Sequence, residues 1–235
     1  MLRDRQGGHC ELHSPGSQGF RPTVSVVICA LNEEESLPHV LTRIPDFVTE
    51  VILVDGRSSD GTVEVARKVR PDIKVIVQPG KGKGEALRLG FKEASGDIIV
   101  TLDADGTTDP LEMQNMVSPL LQGYDLVKGS RFRKGLPQKM PKHRIFGNIV
   151  LAAFASLLFL RPLTDICSGY LAFWKKSLDR LDFLNSGRPT DVESAIILRA
   201  IKRGLRIKEV GHVDRGRIAG ESKMPSLREG WNNIK

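Results

Sequence analysis

Apolar positions in the first half of the chain come in short unbroken runs, each closed by a polar cluster. Val24–Ala30 (VSVVICA) is rich in β-branched residues and reads as a strand buried on both faces. Glu50–Val54 (EVILV) is a second such run, Lys74–Val77 a short third, and Asp97–Leu102 (DIIVTL) a fourth. Between them the pattern predicts helices over about Glu34 to Arg43, over Thr62–Val69, ended by Pro71, and over Glu85–Glu93 after the glycine-rich Gly80–Gly84. Strands alternating with helices imply an α/β fold, a mostly parallel sheet covered by helices on both faces.

The second half is less regular. Asp125–Lys128 and Leu205–Val210 are candidate strands, and Thr190–Arg203 has helical spacing ended by Gly204. Ile149–Leu160 is the longest apolar stretch. Its 12 residues fall short of a bilayer span, so the expectation is no transmembrane helix, with either a core helix or one lying on a membrane surface. Residues 1–22, polar and rich in Gly, Ser and His, are expected to form a flexible tail without a signal-peptide core, and residues 23–235 the folded domain.

Asn32-Glu33, Asp55, the glycine loop and Asp103–Asp105 each stand just past a predicted strand end. Open α/β sheets bind ligands beyond the carboxyl ends of their strands, so four polar clusters in equivalent places point to one shared site.

Asp103-Ala104-Asp105 concentrates two carboxylates at the end of a buried strand, an arrangement relieved by a hard divalent cation such as Mg2+ or Mn2+. An Asp-rich turn capping the next helix would carry the same letters. Gly80-Lys81-Gly82-Lys83-Gly84 combines close backbone approach with positive charge at a helix start, which suits an anion. It matches neither G-x-x-x-x-G-K-[ST] nor G-x-G-x-x-G. Asp55 suits a nucleobase or ribose, whereas Asp60 and Asp109 read as helix caps.

The formal net charge is +7, which favours anionic partners without choosing among them. With two Tyr and two Trp there is little aromatic surface for nucleic acid, and none is expected as a partner. Cys10, Cys29 and Cys167 form no C-x-x-C pair, which fits a reducing cytosol. No partner completes a metal site around His9, Cys10 and His13, and none of the five histidines is paired with a nucleophile.

Four segments, VSVVICALNEEESL, VILVDGRSSDGT, GKGKGEAL and TLDADG, resemble in order and spacing the family-2 glycosyltransferases, whose fold is the Rossmann-like GT-A type. The resemblance runs from about Thr23 to Met224. GSRFRKG, LTDICSGYLAFWKK and RIAGESKM are similar to the polyprenyl-phosphate sugar transferases, of which dolichol-phosphate mannosyltransferase is the best-known type. That resemblance implies a nucleotide-sugar donor (GDP-mannose or UDP-glucose type) held by Ala30, Asn32, Glu33, Asp55, Gly82, Lys83 and Asp103. It implies Mg2+ or Mn2+ on Asp103 and Asp105. Donor and acceptor phosphates would meet Arg131, Arg144, Arg217, Ser222 and Lys223, and the acceptor would be a lipid phosphate. Two departures stand out. Gly106-Thr107-Thr108 follow Asp105 where the group usually has Gln, and the carboxy-terminal membrane helices of many members do not follow Lys235.

The implied reaction is inverting transfer, with Asp103, Asp105 and Arg131 at the reacting phosphates. A lipid phosphate needs no general base, and a hydroxyl acceptor would need one from Asp191 or Glu193. The expected setting is cytoplasmic, with a peripheral position at the cytoplasmic face of a membrane as an option. A sugar-nucleotidyltransferase would open with a Gly-rich, Arg-containing loop where this chain has the acidic ALNEEES, and a non-catalytic nucleotide binder would not need both aspartates.

Overall fold

The computed structural model describes residues 21–137, 139–184 and 193–220. Seven strands form one sheet: β1 Val24–Ala30, β2 Glu50–Asp55, β3 Lys74–Val77, β4 Ile98–Asp103, β5 Leu126–Ser130, β6 Leu171–Trp174 and β7 Ile207–Gly211, in the order β3-β2-β1-β4-β6-β5-β7. All neighbours run parallel except β6, which is antiparallel to both β4 and β5. The helices are α1 Leu37–Leu41, α2 Thr62–Val69, α3 Lys83–Glu93, α4 Met113–Leu121, α5 Lys142–Phe159, α6 Ser177–Leu181 and α7 Glu193–Lys202.

The apolar runs resolve into two layers because successive strand residues face opposite sides. Val24, Val26 and Ile28 of β1 join Val100, Leu102, Met113, Met116 and Leu120 on one face of the sheet. Val27 joins Ile99, Leu87, Phe91, Phe173 and Ile196 on the other, with Cys29 packed against them. Helix α3 approaches the sheet through Gly90. A Cβ there would collide with Val27 and meet Val54 at 3.1 Å.

The structure adds β6 and α6, which hydrophobic spacing did not separate from their surroundings. It shortens the first helix to α1 and starts α3 at Lys83, inside the glycine loop.

The apolar segment at 149–160 requires a larger correction. Helix α5 begins at Lys142 and runs 18 residues, about 27 Å at helical rise, which makes it long and apolar enough by length and composition to cross a membrane. Counting only the uninterrupted run omitted its amphipathic first turns. The core-helix alternative also falls. Ala152 and Ala155 are its buried residues, while Phe146, Phe154, Leu157 and Leu158 are exposed.

Candidate active site

Sheet register lines up the sequence-predicted positions at one edge. Ala30 pairs with Asp55, and Cys29 pairs with Asp103, so β1, β2 and β4 end together. The first two loops are stitched across this edge. Asn32, at φ 52°, accepts the Ser59 amide at 2.8 Å through Oδ1, and its own main-chain amide donates to the Ser58 hydroxyl at 2.8 Å. The Asp55 carboxylate, buried, accepts the amides of Arg57 at 3.1 Å and Ser58 at 3.2 Å. Asp60 takes the Thr62 amide and hydroxyl and the Glu34 amide, so it fixes the start of α2.

Asp103 is the last residue of β4, and its Oδ1 lies 2.5 Å from Lys83 Nζ. The same ammonium lies 2.5 Å from Glu193 Oε1 at the start of α7. Gly82, at φ 93°, caps α3 and turns the backbone so that Lys83 enters the helix at this point. Burial opposes the charge on Lys83, but the two carboxylates outweigh it and hold its pKa well above the usual lysine value. Burial likewise opposes the charge on Asp103. Lys83 above all, with Arg131 and Arg217, reverses this and holds the carboxyl below its ordinary range.

A second ion-pair group adjoins the first. Arg217 Nη1 donates to Asp105 Oδ2 at 3.1 Å, and its Nη2 pairs with Glu33. Asp105 also folds its own turn, accepting the Thr107 amide at 3.0 Å and hydroxyl at 2.7 Å. The Arg217 segment is strapped to this turn by main-chain bonds from Ile218 to Asp105 and from Arg215 to Thr107, and by a bridge between Thr108 and Asp214. Asp109, read as a cap, does accept the Leu111 amide. It also holds Arg43 at 2.8 Å and Arg215 at 2.5 Å, and so ties α1 to the strap.

Glu33, Asp103, Asp105 and Glu193 are thus four carboxylates sharing two cations, Lys83 and Arg217, which leaves two negative charges at the strand ends. A divalent cation balances that deficit, and carboxylate oxygen is the donor that Mg2+ and Mn2+ prefer. Among the described residues no preformed group of three such ligands exists. Two carboxylates with the other positions left to phosphate and water is how Mg2+ is commonly held, so the residues fit.

Arg131 follows β5 and is gripped by Asp165, with Nε to Oδ2 at 2.7 Å and Nη2 to Oδ1 at 2.9 Å. Sequence reasoning passed over Asp165 because it looked for polar residues after strands. Asp165 precedes β6, and an antiparallel strand brings its amino-terminal end to the edge where the parallel strands finish. Gly169, on the same approach, is packed so closely on Asp103 that a side chain there would strike the carboxylate. Arg144 lies exposed in the first turn of α5 and makes none of these ion pairs. Ser222, Lys223 and Asp191 lie outside the described residues.

The chain is 32% identical over 210 residues to a dolichyl-phosphate hexose transferase of Haloferax volcanii, covering 88% of this chain and 89% of that one. It is 30% identical over 213 residues to a dolichol-phosphate mannosyltransferase of Pyrococcus furiosus, covering 86% of this chain and 59% of the relative. Against some curated relatives, including that one, the chain spans only about three fifths of their length. Among solved structures it resembles glucosyl-3-phosphoglycerate synthase from Mycobacterium tuberculosis, determined with Mn2+, UDP and glucosyl-3-phosphoglycerate. The TM-score is 0.69 at 27% identity, covering 89% of this chain and 75% of that one. The sheet is that of a GT-A glycosyltransferase. Residues 25–182 match the glycosyl transferase family 2 model, and the chain belongs to that family of hexose-transferring enzymes.

Proposed function

We propose that the chain is an inverting transferase that moves a hexose from a nucleoside-diphosphate sugar, of GDP-mannose or UDP-glucose type, to a polyprenyl or dolichyl phosphate. The observation that carries this reading is the charge deficit at the strand ends, set beside an exposed apolar helix in the stretch of chain between the paired Arg131 and Asp165. The homologues named for dolichyl-phosphate substrates support the acceptor class.

In this reading Asp103 and Asp105 hold Mg2+ or Mn2+, which when bound neutralises the departing diphosphate. Asn32, Glu33 and Asp55 line the base and ribose end, with Ala30 and Gly82 giving close backbone approach. Lys83 is kept charged between Asp103 and Glu193, beside the donor phosphates. Arg131 supplies fixed positive charge where negative charge develops. Arg217, on its strap, shifts from Asp105 toward phosphate as the donor enters, and Ser222 and Lys223 extend the same segment. The acceptor phosphate is ionised at neutral pH and attacks the anomeric carbon without a general base. Glu193 then serves to fix Lys83 rather than to take a proton. Helix α5, with Arg144 in its first turn, lies against a membrane surface and delivers the lipid headgroup.

The test is turnover of a panel of GDP- and UDP-hexoses onto a short polyprenyl phosphate, with Mg2+ or Mn2+ and with EDTA. Metal-dependent transfer that Asp105→Asn reduces by at least about a hundredfold is the expected result. Donor binding without transfer to the lipid phosphate would overturn the acceptor assignment. Absence of any nucleotide-sugar binding, with either metal, would overturn the whole reading.

A further inference from the structure

Beneath the site, outside every residue assigned above, lies a buried ion pair. Lys128 of β5 and Glu209 of β7 are direct register partners, with Nζ 2.6 Å from Oε1 and the lysine wholly buried. The three protons of the ammonium match three acceptors: Glu209, the main-chain oxygen of Asp165, and that of Gly129 at 3.4 Å. The Glu209 carboxylate accepts the main-chain amides of Thr164 at 3.1 Å and Asp165 at 3.3 Å, and Arg133 approaches its other face at 3.7 Å. Apart from the Gly129 carbonyl and Arg133, every partner the two side chains have beyond each other lies in one turn, residues 164 and 165. The Ser130 and Thr164 hydroxyls, 2.6 Å apart, close the same junction.

That turn carries the carboxylate that grips Arg131 through its Nε, its Nη2 and its main-chain amide. Its main chain leads on to Gly169 against Asp103. A buried pair is seldom a net source of stability compared with apolar residues of similar volume. Its presence here calls for another use, and the geometry supplies one.

We propose that Lys128 and Glu209 are positioning residues for transfer: their pair locks the Thr164–Asp165 turn from below, and through Asp165 it fixes the Arg131 guanidinium at the reacting phosphates. The inference deepens the function proposed above and rests on its assignment of Arg131. Neither Lys128 nor Glu209 touches substrate in this arrangement. Their removal reduces the rate of transfer and leaves the donor-binding loops at β1 and β2 undisturbed.

The experiment compares Glu209→Gln, Lys128→Met and the double variant Lys128→Met/Glu209→Leu with Arg131→Lys. The double variant replaces the pair with apolar groups and so guards against a loss that merely reports unfolding. Melting temperature, affinity for the nucleotide sugar chosen by the panel, and kcat and KM with short polyprenyl phosphate are measured for each. The expected double variant is folded, binds donor within about threefold of the parent, and loses at least about tenfold in kcat. Added to Arg131→Lys it costs less than about twofold more, because both changes undo the fixed placement of the same guanidinium. Amide exchange at Thr164 and Asp165 accelerates in Glu209→Gln. A folded double variant with kcat within twofold of the parent overturns the proposal, as do losses that multiply with that of Arg131→Lys. Full activity of Arg131→Ala instead overturns the assignment of Arg131, and the positioning role falls with it. In that case faster amide exchange in Glu209→Gln would still uphold the structural lock.

Discussion

Arg131 and Asp165 demonstrate how one pair can join chemistry to stability. The Asp165 side chain is fully buried, and its partner is largely so. Burial pushes the Asp165 carboxyl up, but the hydrogen bonds and charge of Arg131 more than reverse this and hold it below the usual carboxylate value. A depressed pKa stabilises the fold above the unfolded value of about 3.9, and that contribution disappears as pH falls through the folded one. Asp165→Asn should therefore cost about 3 kcal/mol from pH 5 to 8. The difference from the parent should narrow only below about pH 3.9, a dependence that urea melts at several pH values would reveal. A cost that stayed constant down to pH 2 would contradict the ion-pair account. At this scale much was legible. Asp103, Asp105, Lys83 and Glu33 stood out by their places after the strands, Arg217 through the family resemblance and Glu193 as a candidate base, and they meet in two joined ion-pair groups. Lys128 and Glu209 were illegible, because a lysine and a glutamate in amphipathic strands read as solvent-facing until register places them opposite each other.

Helix α3 must sit close to β1 and β2 for Lys83 to reach Asp103, and Gly90 sets that distance. Gly90→Ala gains about 1 kcal/mol of helix propensity but forces a methyl into Val27, an overpacking cost of about 1–3 kcal/mol. The net expectation is a lower melting temperature. Gly147 of α5 provides the comparison, since a Cβ there meets nothing within 4 Å. Gly147→Ala should bring the propensity gain alone and leave the melting temperature unchanged or higher. Calorimetry on both variants separates the two effects, and equal shifts would rule out the close-packing account. The parallel strands β1, β2 and β4 could be read from the chain because burial on both faces leaves a continuous apolar signature. Strand β6, four residues ending in Trp174 with no polar cluster set off after it, was not separated from its surroundings.

Across the whole molecule, a basic chain of net charge +7 presents one long apolar helix to its surroundings. Phe154 and Leu157 are 64% and 75% exposed. If α5 rests on a bilayer, burying these two side chains contributes about 3 kcal/mol or more, roughly a hundredfold in partitioning. Phe154→Asp/Leu157→Asp should thus abolish sedimentation with anionic vesicles while the melting temperature stays within a few degrees of the parent. Undiminished sedimentation would refute a membrane role for the helix. The order of the strands has a consequence for biosynthesis. Strand β6 is the wedge between β4 and β5, so neither of those earlier strands acquires this neighbour until the chain has been made past Trp174. During synthesis the β4 edge, apolar and unpaired, waits through the whole α5 excursion. A nascent chain stalled in that interval exposes a sticky template, which places the need for chaperone protection in that window.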